Sequence, residues 1–298
     1  MNKIYFILIA LVSAVLPYNY TYSQDDLEQM LEQNDNTREY TTATFKTSRI
    51  INGQSIELVP QGNLEFRISH RFGILKDGFK QMFGLYSSST RIGLEYSPYK
   101  LFMIGLGVNT NKKNFDGFLK LHIARQSKGK KHFPFSISFF TSLAYSNADW
   151  NYTDMKDYKA NRLAYCYQLI IARKFSDRIS LQLSPTFIHR NLVLTALDVN
   201  NMPAVGFAGR IKLTNRLAIC AEYFLRILPK RRSASDDTYF DAFAIGFDID
   251  TGGHIFQLHF TNASSLIETG FIPETPDKWW KGQIRLGFNL NRQFNIHK

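Results

Sequence analysis

Residues Phe102-Met103-Ile104-Gly105-Leu106-Gly107-Val108 set bulky apolar side chains on alternate positions and mainly glycine on the positions between. A period of two is the signature of an extended strand with unlike faces, because successive side chains point to opposite sides of a sheet. Here the odd position Met103 and the two glycines form one face, and Ile104, Leu106 and Val108 form the other. The same rule recurs along the chain. Ile92, Leu94 and Tyr96 oppose Arg91, Gly93 and Glu95, and Leu119, Leu121 and Ile123 oppose Lys120 and His122. Ile179, Leu181 and Leu183 alternate with Ser180, Gln182 and Ser184. Phe243, Ile245, Phe247 and Ile249 alternate with Gly246 and Asp248, and Ile284, Leu286, Phe288 and Leu290 with Gln283, Arg285, Gly287 and Asn289. A charged side chain at mid-bilayer costs about 2–4 kcal/mol, so one consistently apolar face opposite a charged one indicates strands with lipid outside and a closed lumen inside. A soluble sandwich also alternates, but it rarely carries so much charge on one face of so many strands.

Twelve strands are expected, at 62–72, 88–97, 100–109, 115–126, 133–146, 162–174, 177–189, 203–213, 216–226, 239–250, 254–261 and 281–296. The links from even to odd strands include the very short turns Pro98-Tyr99, Ser176-Asp177, Thr214-Asn215 and Thr251-Gly252-Gly253, with a longer basic link from Ser127 to His132. The odd-to-even links include the long segments 73–87, 147–161, 190–202, 227–238 and 262–280, and only 110–114 is short. Outer-membrane barrels keep short turns on the periplasmic side and long loops outside. The fold expected is therefore an all-β, transmembrane, up-and-down antiparallel barrel of about twelve strands in the outer membrane of a Gram-negative bacterium.

The N-terminal stretch fits export. Lys3 precedes the thirteen-residue apolar run Ile4–Leu16, Pro17 closes it, and small Thr21 and Ser23 precede Gln24, which suits cleavage after Ser23. That run is short for a spanning helix, which needs about 20 residues. The expected organisation is a cleaved signal peptide at 1–23, a flexible periplasmic lead-in at 24–43, a β-hairpin at 44–61 and the barrel at 62–298. The hairpin carries Lys46, Arg49 and Glu57 around an Asn52-Gly53 turn, and is expected to rest in the barrel mouth or to extend its wall. The first cysteine, Cys166, is far from the cut, which argues against a lipoprotein; Cys166 and Cys220 fall on non-neighbouring strands and read as unpaired wall residues.

The formal net charge of +11 falls to +10 once Lys3 is removed. This balance suits either a plain solvated basic surface or attraction of lipopolysaccharide phosphates or anionic solutes. Outer-membrane lipid and the barrel-insertion machinery are the expected partners, an envelope protein partner remains unspecified, and no nucleic-acid-binding pattern is present. Inward positions carry Arg67, Arg71, Arg91, Lys120, Arg210, Lys212, Arg226 and Arg285 against Glu65, Glu95, Glu222 and Asp248. Such a lining either favours anions or pairs with itself and helps to plug the interior. Tyr96, Tyr99, Trp150, Trp279 and Trp280 border predicted strand ends and are the expected aromatic girdle. Loop residues Phe79, Met82, Phe83, Leu266, Ile267, Phe271 and Ile272 are expected to fold inward or to meet a partner.

No catalytic, cofactor or metal site is expected. The histidines His70, His122, His189, His254 and His259 lie in no ligand motif, Ser69-His70 is not the His-x-Ser order of outer-membrane phospholipases, and no helix follows Gly252-Gly253 to cradle a phosphate. The carboxylate pair Asp236-Asp237 sits in a basic loop after Lys230-Arg231-Arg232, as a solvated tip.

Several passages resemble a family described as a membrane-bound β-barrel domain of unknown function in Bacteroidota-type envelopes. They are Thr44-Phe45-Lys46 with Ile50 to Ile56, Leu64 to Gly73, Thr90 to Tyr96, Phe115 to Lys120, Gln257 to Asn262 and Gly287 to Phe294. The resemblance implies a barrel in the envelope and supplies no activity. Many outer-membrane barrels end on an aromatic residue, whereas Ile296-His297-Lys298 follows Phe294 here, so insertion is expected to use Phe294. The functional expectation is a narrow, anion-leaning passage for small solutes; the alternative is a non-conducting structural or partner-binding barrel.

Overall fold

The computed structural model describes residues 38–85, 87–129, 132–150, 156–193, 198–228 and 239–296. The expected signal peptide, most of the lead-in and the Lys230–Asp237 loop tip lie outside these residues. Twelve antiparallel strands close into a barrel. They are β1 (Asn63–Ile74), β2 (Ser88–Tyr99), β3 (Phe102–Asn109), β4 (Asn114–Ala124), β5 (Ser136–Ser146) and β6 (Leu163–Lys174). The second half is β7 (Ile179–Arg190), β8 (Asn201–Lys212), β9 (Leu217–Arg226), β10 (Ala242–Asp250), β11 (His254–Thr261) and β12 (Arg285–Asn295). Each strand pairs with its chain neighbours, and β12 closes on β1 through Leu290 opposite Ile68 and Asn295 opposite Asn63. Closure removes the free edges that an open sheet would leave in lipid.

The faces follow the alternation. Ile104, Leu106 and Val108 of β3 are exposed on the outer wall, whereas Met103 is fully buried inside. Ile92, Leu94, Leu119, Leu121, Ile123, Leu181, Ile245 and Phe247 share the outer surface. Inside, the wall has two unlike halves. Strands β11, β12, β1, β2 and β4 contribute Gln257, His259, Asn289, Asn291, Glu65, Arg67, Arg71, Arg91, Glu95 and Lys120, all buried. The apolar half comes from Phe140, Ile170, Ile188, Met202 and Phe224 of β5 to β9.

Several boundaries move by a few residues. Pro98 and Tyr99 end β2, so the first short turn is Lys100-Leu101. Strands β5, β10 and β12 start at Ser136, Ala242 and Arg285, later than expected from the sequence, because the residues before them are used in loop contacts. Phe133 bridges Ser127, Phe240 bridges Thr275, and Trp279–Lys281 forms a single 3-10 turn.

The largest correction concerns residues 44–61. They neither extend the wall nor rest in the mouth: residues 44–56 are almost all buried inside the barrel. Arg49 pairs with Gln54 and the Ile50 amide donates to the Gly53 carbonyl, so Ile51 and Asn52 form the tip instead of Asn52 and Gly53. The reason is packing. Isoleucines 50, 51 and 56 with Phe45 and Val59 meet the apolar half of the wall, and the tip amides meet a carboxylate. The hairpin enters from the side of the short turns: Glu39–Tyr40 pairs with Ser127–Lys128 of the β4–β5 link, and the Gly62 amide donates to the Ser97 carbonyl at the end of β2.

Candidate functional site

Of the expected lumen residues, Arg67, Arg91, Glu95, Lys120, Glu222 and Asp248 are buried and Arg210, Lys212 and Arg285 partly buried, and most are held by the hairpin or by a neighbouring acid. Glu222 of β9 accepts hydrogen bonds from the tip amides of Asn52 (2.7 Å), Gly53 (3.1 Å) and Ile51 (3.3 Å). Its carboxylate thereby binds three backbone donors that a tight tip cannot satisfy internally. Gly53 is required there, since a Cβ would lie 2.7 Å from the Phe224 ring. Lys120 of β4 donates to the carbonyls of Ser48 (2.9 Å), Ser55 (3.1 Å) and Glu57 (3.1 Å), which uses all three of its ammonium protons on the hairpin. Gln182, Gln257 and Asn289 donate to the carbonyls of Gln54, Ile50 and Ile51. Arg71 donates to the Asn52 side chain and to the Ser265 carbonyl. Ser48 donates to Glu95 at 2.5 Å.

Arg91 takes a different partner. Its Nε and Nη2 donate to Asp116 of β4 at 2.9 and 2.5 Å in a two-pronged contact. The guanidinium lies flat over the wall because Gly93 and Gly107 leave the surface bare; a Cβ on Gly93 would sit 2.5 Å from Nη1. Arg285 pairs with Asp277 (2.7 Å), Arg226 with Asp241 (3.2 Å) and Arg210 with Asp248 (3.8 Å). Lys212 lies half-buried near the end of β8. Arg67 donates to Asn291 and lies 3.9 Å from Glu65.

A second closure comes from the loop 262–284. Of its apolar residues, Leu266, Ile267, Phe271 and Ile272 are buried, as expected for a segment that folds inward, and Phe271 packs edge-on against Phe224 at 5.1 Å. Phe79, Met82 and Phe83 of the loop 75–87 stay exposed. Glu268 reaches down to the hairpin, where Arg49 and Gln54 donate to it at 2.7 and 3.2 Å. Hairpin and loop therefore meet inside the barrel through Arg49, a contact between chain positions too distant for any pattern to signal. Arg49 and Glu57 are visible in the sequence as charges on a hairpin flanked by isoleucines, which is the one hint of a buried role.

The girdle residues divide. Tyr96 and Tyr99 lie on the outer wall near the short-turn end. Trp279 packs edge-on against Phe243 at 4.6 Å, and Trp280 is 94% exposed. Trp150 is instead stacked under Arg162 at 5.3 Å and lines a vestibule at the long-loop end. This vestibule, about 580 Å³, is lined by residues of the loops 110–114, 146–150 and 262–284 and by the ends of β6 and β7. Both cysteines are free and buried on the inner face. Among the described residues no group of histidine, cysteine or acidic side chains could hold a metal ion.

Among solved structures the chain is similar to the NanC porin, at 9% identity over 78% of this chain and 98% of that one, with a TM-score of 0.49. It is also similar to the KdgM porin, at 10% identity over 78% and 99% with a TM-score of 0.47. A third is the Acinetobacter baumannii outer membrane protein Omp33, at 9% identity over 78% and 100% with a TM-score of 0.39. No curated protein matches the chain in sequence. The family model described as a membrane bound beta barrel domain matches residues 45–294, a span that takes in the hairpin and the barrel strands to within one residue at either end. The chain thus belongs to the membrane bound beta barrel domain family DUF5777.

Proposed function

We propose that this membrane barrel is an outer-membrane passage for small solutes, held shut at rest by its own hairpin and leaning toward anions. One observation carries the reading. Along the polar half of the lumen a series of buried polar atoms has no hydrogen-bond partner in the protein: Arg67 Nη1 and Nη2, Arg71 Nε, Arg91 Nη1, both ring nitrogens of His259 and Asn291 Nδ2, with the acceptors Glu95 Oε1 and Asn289 Oδ1. A leftover buried donor costs about 1–3 kcal/mol, so these positions favour a polar occupant, water or solute, along this side of the lumen. The excess is mainly of donors, which favours anions over cations along that side.

The apolar half supports the shut state. Withdrawing the hairpin exposes Phe45, Ile50, Ile51, Ile56 and Val59, at about 1.5–3 kcal/mol for each side chain. Spontaneous opening is therefore rare, and movement of the hairpin is the step that admits solute. The same apolar packing favours a second reading, a permanently closed barrel that serves as a scaffold.

Planar-bilayer recording separates the two. The intact protein is expected to be nearly silent, and a variant lacking residues 44–59 to give steady steps with a reversal potential on the anion side. Arg67→Gln in that background should reduce the anion preference. The deleted variant must first migrate faster unheated than boiled, which shows that the barrel is closed; a closed and silent variant overturns the passage. Lys120→Met, which removes three hairpin contacts without deleting any chain, is expected to raise the frequency of brief openings.

A further inference from the structure

The outer vestibule holds an arrangement that the passage does not require. At its wall Arg190, the last residue of β7, is buried, and its Nη1 donates to Glu274 at 2.6 Å. Across the opening Lys112, from the β3–β4 link, contacts the other oxygen of the same carboxylate. Glu274 belongs to the loop 262–284, so one carboxylate brought in on a loop spans a buried cation of the wall and an exposed one on the β3–β4 link. Arg162, the remaining cation of the vestibule, is already matched: it donates to both oxygens of Asp157 at 2.7 and 2.6 Å and holds that carboxyl below its usual range.

Three polar atoms of vestibule residues have no protein partner and are shielded from solvent in this arrangement. They are Arg190 Nε, Asn114 Oδ1 and Ser265 Oγ. The residues that bear them are each more than nine-tenths buried. Arg190 Nη2 donates to the Val199 carbonyl at 3.0 Å, so lifting the Glu274 end of the loop would leave Arg190 Nη1 and Nε as the donors free for a carboxylate, with the unpartnered Asn114 Oδ1 as an acceptor for a hydroxyl. A volume of about 580 Å³ suits a solute of one or two sugar rings.

We propose that the outer vestibule binds a small hydroxylated carboxylate, such as a sugar acid, on Arg190 and Lys112 in place of the Glu274 carboxylate. Within the site one carboxylate replaces another, so the two cations stay neutralised while the displaced Glu274 carboxylate passes to solvent. Glu274 is then an internal competitor that sets the affinity, and Arg190 is the residue that selects for the carboxylate through charge-assisted hydrogen bonding. Binding here does not rest on the passage, because the binding step is displacement of Glu274 and not withdrawal of the hairpin.

The test is titration calorimetry of the full-length protein in detergent with glucuronate, glucose and inorganic phosphate as probes. Glucuronate is expected to bind, glucose not to bind, and phosphate to bind more weakly than glucuronate. Arg190→Gln should weaken glucuronate about tenfold or more, the effect of one charge-assisted hydrogen bond. Glu274→Gln should strengthen it, because the internal competitor is gone while both cations stay. Equal binding of glucose, equal binding of phosphate, or no glucuronate binding to either the intact protein or Glu274→Gln overturns the proposal. Each variant is checked for heat-shifted migration, and Lys112→Gln, at an exposed position, supplies a milder loss if Arg190→Gln fails to close.

Discussion

At the residue scale the interior rests on a few charged groups with defined partners. Arg91 and Asp116 form a buried pair held flat by the glycines at 93 and 107. Removing one member of such a pair leaves the other uncompensated, so Asp116→Asn or Arg91→Ala is expected to cost about 3–5 kcal/mol, measured by urea unfolding in lipid vesicles. The joint change Arg91→Met with Asp116→Leu should cost clearly less than either alone; equal costs would mean that the pair contributes through volume and not charge. Inward alternation made Arg91 legible as a lumen residue. Its partner was harder to assign, because Asp116 lies two strands away and is reached only across the bare surface of β3.

At the element scale, the hairpin is a buried element that exchanges hydrogen bonds with strands β1, β2, β4, β7, β9, β11 and β12. Glu222 is its main anchor at the tip. Glu222→Gln replaces an acceptor oxygen by a donor facing backbone amides, so the tip should loosen by about 1–3 kcal/mol. Cys166 and Cys220 provide a native readout, since both are buried beneath the plugged interior. Their modification by a maleimide is expected to be slow in the intact protein and several-fold faster in Glu222→Gln; unchanged rates would show that the hairpin is held without this carboxylate. Residues 44–59 were readable as a hairpin but not as a plug. A short run of isoleucines with Arg49 and Glu57 has the same pattern whether it pairs at a sheet edge or packs inside a lumen, and only the shape of the cavity decides between them.

At the scale of the whole molecule, the outer wall is a continuous apolar surface and should behave as one. Leu106, 69% exposed in the middle of β3, is expected to tolerate Ala at little cost, whereas Leu106→Arg should destabilise the barrel in vesicles by about 2–4 kcal/mol. Equal tolerance of both would mean that this face does not meet lipid. The sequence by itself determined the strand number, the face that meets lipid and which end carries the long loops, because bilayer contact imposes a rule of period two that each strand obeys locally. The inward direction of Arg67, Glu95, Lys120 and Glu222 followed from the same rule. Only the tertiary structure decided what fills the lumen and which charges meet there. The contacts of Glu222 with the Asn52 amide and of Arg49 with Glu268 join segments about 170 and 219 positions apart, and they exist only once closure of β12 on β1 has fixed the width of the interior.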